Sequence, residues 1–222
     1  MALPLFVWIV TGVLFNVKYR YAEAYETLTV HTAKSWNSAR ISPADLVEDR
    51  KLDETGKVSL FMHPSGIPAY AGVREGMPVA VSALSGDAIP QATEGDGKQW
   101  AGVAIAESPN AGRYGTVLGV REATHMSSMT GSTDPAFVFE YSGGKKVTVD
   151  RITGEMSQTG KLNDWIDWTY HLHYLQWTPW HSVNIALVVI ATPLTLGLAF
   201  SGLVLAFGKR GGYSGRRPNS FY

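Results

Sequence analysis

The sequence predicts a membrane protein of α+β class, with two transmembrane helices flanking an extramembrane domain built from two similar units. Three observations predict it. Long uncharged stretches lie near both ends of the 222-residue chain, every acid lies between them, and a nine-residue pattern in the middle occurs twice.

Ala2–Val17 is uncharged. As a helix it is about 24 Å long, short of the ~30 Å hydrocarbon core, and Tyr19, Tyr21 and Tyr25 extend it into the interface. A cleavable signal peptide is the rival reading, because Ala22-Glu23-Ala24 has the form of a cleavage site. No basic residue precedes the apolar run, so a retained transmembrane helix over 1–20 is expected. Val183–Phe207 runs 25 residues without a charge, long enough to cross with some tilt. It predicts a second transmembrane helix over 182–208, kinked at Pro193. Thr11 and Gly12 on the first helix, and Gly197, Ser201 and Gly202 on the second, form flat strips suited to helix packing. The strips either join the two spans or dock the chain onto larger membrane subunits.

The formal net charge is zero, which conceals an acidic middle and a basic end. After Thr178 there are four bases (Lys209, Arg210, Arg216, Arg217) and no acid. By the positive-inside rule the tail over 209–222 is cytoplasmic. Two spans then place both termini in the cytoplasm and the central domain in the periplasm, at a bacterial inner membrane. The middle has no basic run interleaved with aromatics, which argues against nucleic-acid binding. The absence of cysteine excludes disulfides, thiolate metal sites and cysteine nucleophiles.

Between the spans, Val79-Ala80-Val81-Ser82-Ala83-Leu84-Ser85-Gly86-Asp87 reads against Val147-Thr148-Val149-Asp150-Arg151-Ile152-Thr153-Gly154-Glu155, and Pro68-Ala69-Tyr70 against Pro135-Ala136-Phe137. Such an internal repeat predicts two copies of one supersecondary unit. In the second copy, Phe137–Tyr141 is a strand, Ser142–Lys145 a turn in which glycine supplies positive φ, and Val147 and Val149 alternate on the return strand. In the first copy Glu75-Gly76 is the turn. Upstream, Ser42 caps a helix with Pro43 at its first position and Asp45 in its first turn. The matching helix of the second unit is expected near Lys98–Glu107, where a strand is equally allowed. The units are placed at 21–95 and 96–160, each a helix plus a small antiparallel sheet. An interfacial, amphipathic, aromatic segment follows over 161–181.

These residues resemble a known family. Val147–Glu155 is similar to the core of PepSY domains, in which a strand runs into an Asp and a Thr-Gly-Glu turn. Trp168–Trp177 resembles the aromatic Leu-His stretch that leads into a span in PepSY-associated transmembrane proteins. Thr11–Phe15 and Ser201–Leu205 match that family's small-Gly-aliphatic span endings. The order of span, unit, unit, Leu-His segment and span covers most of the chain. Three roles are expected, the first from the small-residue strips on the spans and the other two as what the resemblance implies. The first is a non-catalytic accessory or scaffold subunit of a larger membrane complex, with a respiratory or photosynthetic (bioenergetic) host. The second is a haem-binding electron-transfer module like the ferric-siderophore reductases, with His173 and His181 as haem ligands. The third is a periplasmic regulator of a peptidase.

The residues favour the first. His171 and His173 are two apart, which on a helix points them about 200° apart, and a haem held by His173 or His181 finds no histidine on the first span. These histidines lie among Trp165, Trp168, Tyr170, Tyr174, Trp177 and Trp180, an aromatic belt anchoring the chain at headgroup level. His31, His63 and His125 are scattered, and are expected to be solvated or locally hydrogen-bonded. No nucleotide-binding, serine-hydrolase or zinc-protease motif is present. Asp164 and Asp167 are expected to solvate one helix face, and Asp150 to cap its turn. The expectation is a protein that is not an enzyme and has no resident cofactor. Its partners are membrane lipid and other integral membrane subunits.

Overall fold

The computed structural model describes residues 10, 12, 23–24, 26–32, 39–54, 56–173 and 178–208, with the backbone alone at 172, 173, 188 and 208. The chain falls into two units, Tyr19–Asp164 and a second one of Met1–Lys18 with Trp165–Tyr222.

Within Tyr19–Asp164 the class is α+β, and the repeated pattern is a repeated architecture. Helix α1 (Pro43–Glu48) precedes strands β1 (Ser59–Met62), β2 (Pro68–Arg74), β3 (Met77–Ser82) and β4 (Ala88–Ile89). Helix α2 (Glu94–Glu107) precedes β5 (Val117–Met126), β6 (Thr133–Tyr141), β7 (Lys145–Asp150) and β8 (Met156–Gly160). Each set of four strands forms an antiparallel meander in chain order. The predicted hairpins are the central pairs of these sheets, and each gains an outer strand on either side.

Both helices start for the same reason. Ser42 caps α1 and Thr93 caps α2, each in a capping box completed by an Asp at the third helical position, Asp45 and Asp96. Such a box satisfies amide donors that the first turn leaves unpaired. The helix expected near Lys98 is therefore α2, starting at Glu94 within residues assigned to the first unit. Gly97 lets it approach the sheet closely, since a Cβ there would lie 3.3 Å from the Phe139 ring.

The correspondence extends to single atoms in the turn after the third strand of each unit. The Ser82 hydroxyl accepts from Leu84 and Ser85 N–H, and one Asp150 oxygen accepts from Ile152 and Thr153 N–H. Ser85 Oγ accepts from Asp87 N–H and Thr153 Oγ1 from Glu155 N–H. Gly86 and Gly154 donate back to Ser82 and Asp150, at φ +73° and +71°. Asp150 thus caps its turn as expected.

Alternation builds three small cores. Tyr70 and Val81 face α1, packing on Leu46 and Leu52. Phe137, Phe139, Tyr141, Val147, Val149 and Met156 face α2, packing on Ala101, Ala104 and Ile105. The seam between the two halves is a thinner cluster of Phe61, Ala69, Ala71, Ala80 and Ile152, with Met129 against it.

Helix α3 (Lys161–His173) begins within Tyr19–Asp164 and runs on past it, and α4 spans His181–Gly208 with Pro193 inside it. Helix α4 is the one described helix long and apolar enough to cross a membrane, by length and composition. The first predicted span lies outside the described residues apart from Val10 and Gly12, which are helical. The two-span architecture is therefore matched by a single described helix.

The turn glycines differ in what surrounds them. At Gly154 a Cβ would run into the Pro64 ring, whereas at Gly76, also at positive φ, it would meet nothing within 4 Å. Gly76→Ala should cost about 1–2 kcal/mol from left-handed strain alone. Gly154→Ala adds a clash across the seam and should cost at least twice that, read from denaturant unfolding followed by tryptophan fluorescence.

Candidate functional site

Two polar clusters lie inside the folded domain, and alternation in the sequence explains how each side chain comes to point inward. The first closes the ends of the domain. Lys145 shares a face with Val147 and Val149 on β7, and Gln158 shares one with Met156 on β8; all five are buried. A lysine at an inward position has to be paired.

Lys145 Nζ lies 3.1 Å from Glu23 and 3.9 Å from Glu26, and donates to Gln158 Oε1 at 3.2 Å. Its ammonium also stands 4.9 Å from the centre of the Tyr114 ring. Arg113 pairs with Glu23, Ser108 Oγ donates to Glu26, and Tyr114 Oη donates to Glu26 at 2.9 Å. Gln158 Nε2 donates to the carbonyls of Glu23 and Ala24, and Asn163 Nδ2 to that of Ala24. Burial lowers the Lys145 pKa, Glu26 opposes that, and Arg113 adds to it. Burial followed by the Glu26 hydrogen bond pushes the Tyr114 phenol well up, keeping it a donor. Beside this cluster a cleft of ≈ 610 Å³ opens, walled by Arg113, Gly144, Lys161 and Asn163 among others.

The second cluster sits at the seam. Asp134 and Asp150 are fully buried and lie on one face, because Asp150 pairs with Ala136 and Asp134 is two residues before it on β6. Asp134 accepts from Thr130 Oγ1 at 2.9 Å and Ser132 Oγ at 2.7 Å. Asp150 Oδ2 is buried without a donor. Burial raises the Asp150 pKa, and the neighbouring Asp134 carboxyl raises it further against the two turn amides.

His63 is buried in the same region. Its Nδ1 lies 2.7 Å from Ser65 Oγ and its ring packs edge-on against Trp100, while Nε2 has no partner. Burial lowers its pKa to about 4, with Asp96 opposing the shift. Of the two environments expected for this residue, local hydrogen bonding holds and solvation does not, because packing against Phe61 and Trp100 takes the ring out of water.

Around α3 and the start of α4, several of the described histidines and aromatics are open. His171 is exposed on α3, His173 is its last residue and His181 is the first of α4. Helix α3 runs through both 171 and 173. Trp165, Trp168 and Trp180 are exposed. Tyr174, Trp177 and Thr11 lie outside the described residues. Gly197, Ser201 and Gly202 lie on α4; Ser201 Oγ donates to the Leu198 carbonyl of its own helix. Beyond the adjoining backbone of α4 itself, no described atom comes within 4 Å of where a Cβ on Gly197 or Gly202 would stand. Among the described residues no group of three or more His, Cys, Asp or Glu is arranged to hold a metal.

Sequence reasoning missed both clusters, although inward-facing Lys145, Gln158, Asp134 and His63 each carry the signal of a polar residue at a core position. No protein-family profile, no curated protein and no solved structure matches the chain.

Both clusters can be probed through stability. Lys145→Ala leaves Glu26, whose side chain is only 7% exposed, without its cation, while half-buried Glu23 keeps Arg113, and should cost about 3 kcal/mol in denaturant unfolding. His63 favours the folded state fully above its unfolded value of 6.5, and that contribution is lost as pH falls towards about 4. His63→Phe should flatten this acid-side loss, worth roughly 3 kcal/mol at most, in unfolding midpoints measured across that window.

Proposed function

We propose that the chain is a non-catalytic, membrane-anchored accessory subunit that displays a duplicated PepSY-like domain outside the bilayer and associates with other integral membrane subunits. One observation carries the reading. Helix α4 is 28 residues long and exposes Val189, Leu194, Phe200 and Leu205 at 63–71% of their surface. Water is an unfavourable medium for such a helix, since each large apolar side chain left exposed forgoes about 1.5–3 kcal/mol. At ~1.5 Å per residue its length exceeds the ~30 Å of a hydrocarbon core.

The domain supports the same reading. Glu23 and Ala24 are hydrogen-bonded to Gln158 and Asn163, so the incoming and outgoing chain leave the domain side by side. Such an arrangement suits two flanking spans entering one membrane. A helix followed by a four-stranded meander, twice, with a Thr-Gly-Glu turn closing the second, supports the PepSY resemblance. The basic tail supports a cytoplasmic C-terminus. A respiratory or photosynthetic assembly remains our choice of host.

The natural absence of cysteine makes topology measurable. Single substitutions Lys98→Cys, at an exposed position of α2, and Ser214→Cys, in the tail, should differ under an impermeant maleimide applied to intact spheroplasts. Labelling at 98 and protection at 214 until lysis is expected; the reverse overturns the orientation. Extraction from native membranes in mild detergent should yield a particle much larger than 24.2 kDa plus its micelle; a monodisperse monomer overturns the subunit role.

A further inference from the structure

The repeat supplies an internal control for the buried carboxyl pair. In the first unit a serine, Ser82, caps the turn with one oxygen that accepts two amides. In the second, Asp150 does the same with Oδ1 alone. The turn therefore does not need a carboxylate, and Oδ2 of Asp150 is an extra buried atom beside Asp134.

We propose that Asp134 and Asp150 share a proton, and that this proton clamps the 127–133 loop across the seam between the two halves of the domain. Asp150 Oδ2 carries the proton and donates it to Asp134, which supplies the partner that Oδ2 otherwise lacks. Asp134 then binds the loop through Thr130 and Ser132. The loop in turn holds the first half: Ser59 Oγ donates to the Met129 carbonyl at 2.8 Å, Lys57 donates to the Ser128 carbonyl, and Met129 packs on the seam. When the proton leaves, two buried carboxylates face one another and the loop loses its anchor.

Other charged groups on the surrounding elements are few. His125 stands opposite Asp134 on β5 with its Nε2 unpartnered. Glu155 receives Ser127 and Ser128 from the far side of the loop. Arg151 turns away, to the Ala92 carbonyl, the Phe137 ring and Glu122. Asp134 is the one charged group that shifts the Asp150 pKa.

The sign follows from burial. Asp150 holds its proton to higher pH in the folded state than in the unfolded chain. The clamp is therefore complete below the ordinary carboxylate range and is lost as pH rises through the elevated value.

Hydrogen exchange on the full chain in detergent tests this at about pH 5 and about pH 9, corrected for intrinsic rates. Protection of amides in 127–134 should fall roughly tenfold or more at the higher pH, while α2 stays constant. In Asp150→Asn, the amide oxygen can accept from Ile152 and Thr153 while Nδ2–H donates to Asp134. That variant should keep its protection at both values. Protection in the wild type that does not depend on pH, or an Asn variant that tracks the wild type, overturns the proposal. Infrared spectroscopy gives a reading independent of the variant's folding. Near pH 6 the wild type should show the carbonyl stretch of a protonated buried carboxyl, and its absence overturns the shared proton.

Discussion

The domain depends on a lysine in its interior. Lys145 is buried at a β7 position whose neighbours on the same face are valines, and it joins Glu23, Glu26 and Gln158 there. Desolvating these charges costs several kcal/mol each, and the cluster offsets that only because its members are multiply hydrogen-bonded. Its effect is positional. The ion cluster docks Glu23 and Glu26 on the second sheet. That places Leu28 in the second unit's core and fixes where the domain's two chain ends emerge.

The two halves are not held alike. Both ends of the domain are bound to the second unit, since Glu23 and Ala24 meet Gln158 and Asn163. The first unit, α1 with β1–β4, is held by its connecting segments and by the seam. It has its own core around Leu46, Leu52, Tyr70 and Val81. A seam built largely from alanines buries much less apolar surface than the aromatic core under α2. Polar contacts through Met129, Ser128 and Arg151 therefore carry a large share of the attachment.

Much of this was legible in the sequence because it depends on local rules. Period-two alternation marks the central hairpins, Ser42-Pro43 marks α1, and the repeated Ser/Thr-Gly-Asp/Glu marks two identical turns. Helix α2 was ambiguous because Gly95 and Gly97 lower helix propensity and its apolar residues make no clean stripe; what decides it is the Thr93–Asp96 box and the close fit of Gly97 on Phe139. Strand β5 was missed because most of it is exposed on both faces, so no burial pattern is written into it. The ion cluster was illegible for a different reason. Glu23 and Lys145 are far apart in the chain, and inward parity marks Lys145 as needing a partner without saying where that partner lies.

The divergence between the two copies is where the fold stops explaining the residues. Two turns with the same hydrogen bonds are capped by serine in one half and by aspartate in the other, and the aspartate faces a second buried carboxyl. Replacing a neutral hydroxyl by a carboxyl at a fully buried position is unfavourable unless a proton or partner comes with it. The seam is also where the two halves are least strongly packed together. A group whose ionisation is opposed by burial, placed at the weakest internal contact, couples the state of that contact to proton activity. Because the second half holds both chain ends, the first half is the part free to respond, and the end of the domain where the chain enters and leaves stays fixed while it does so.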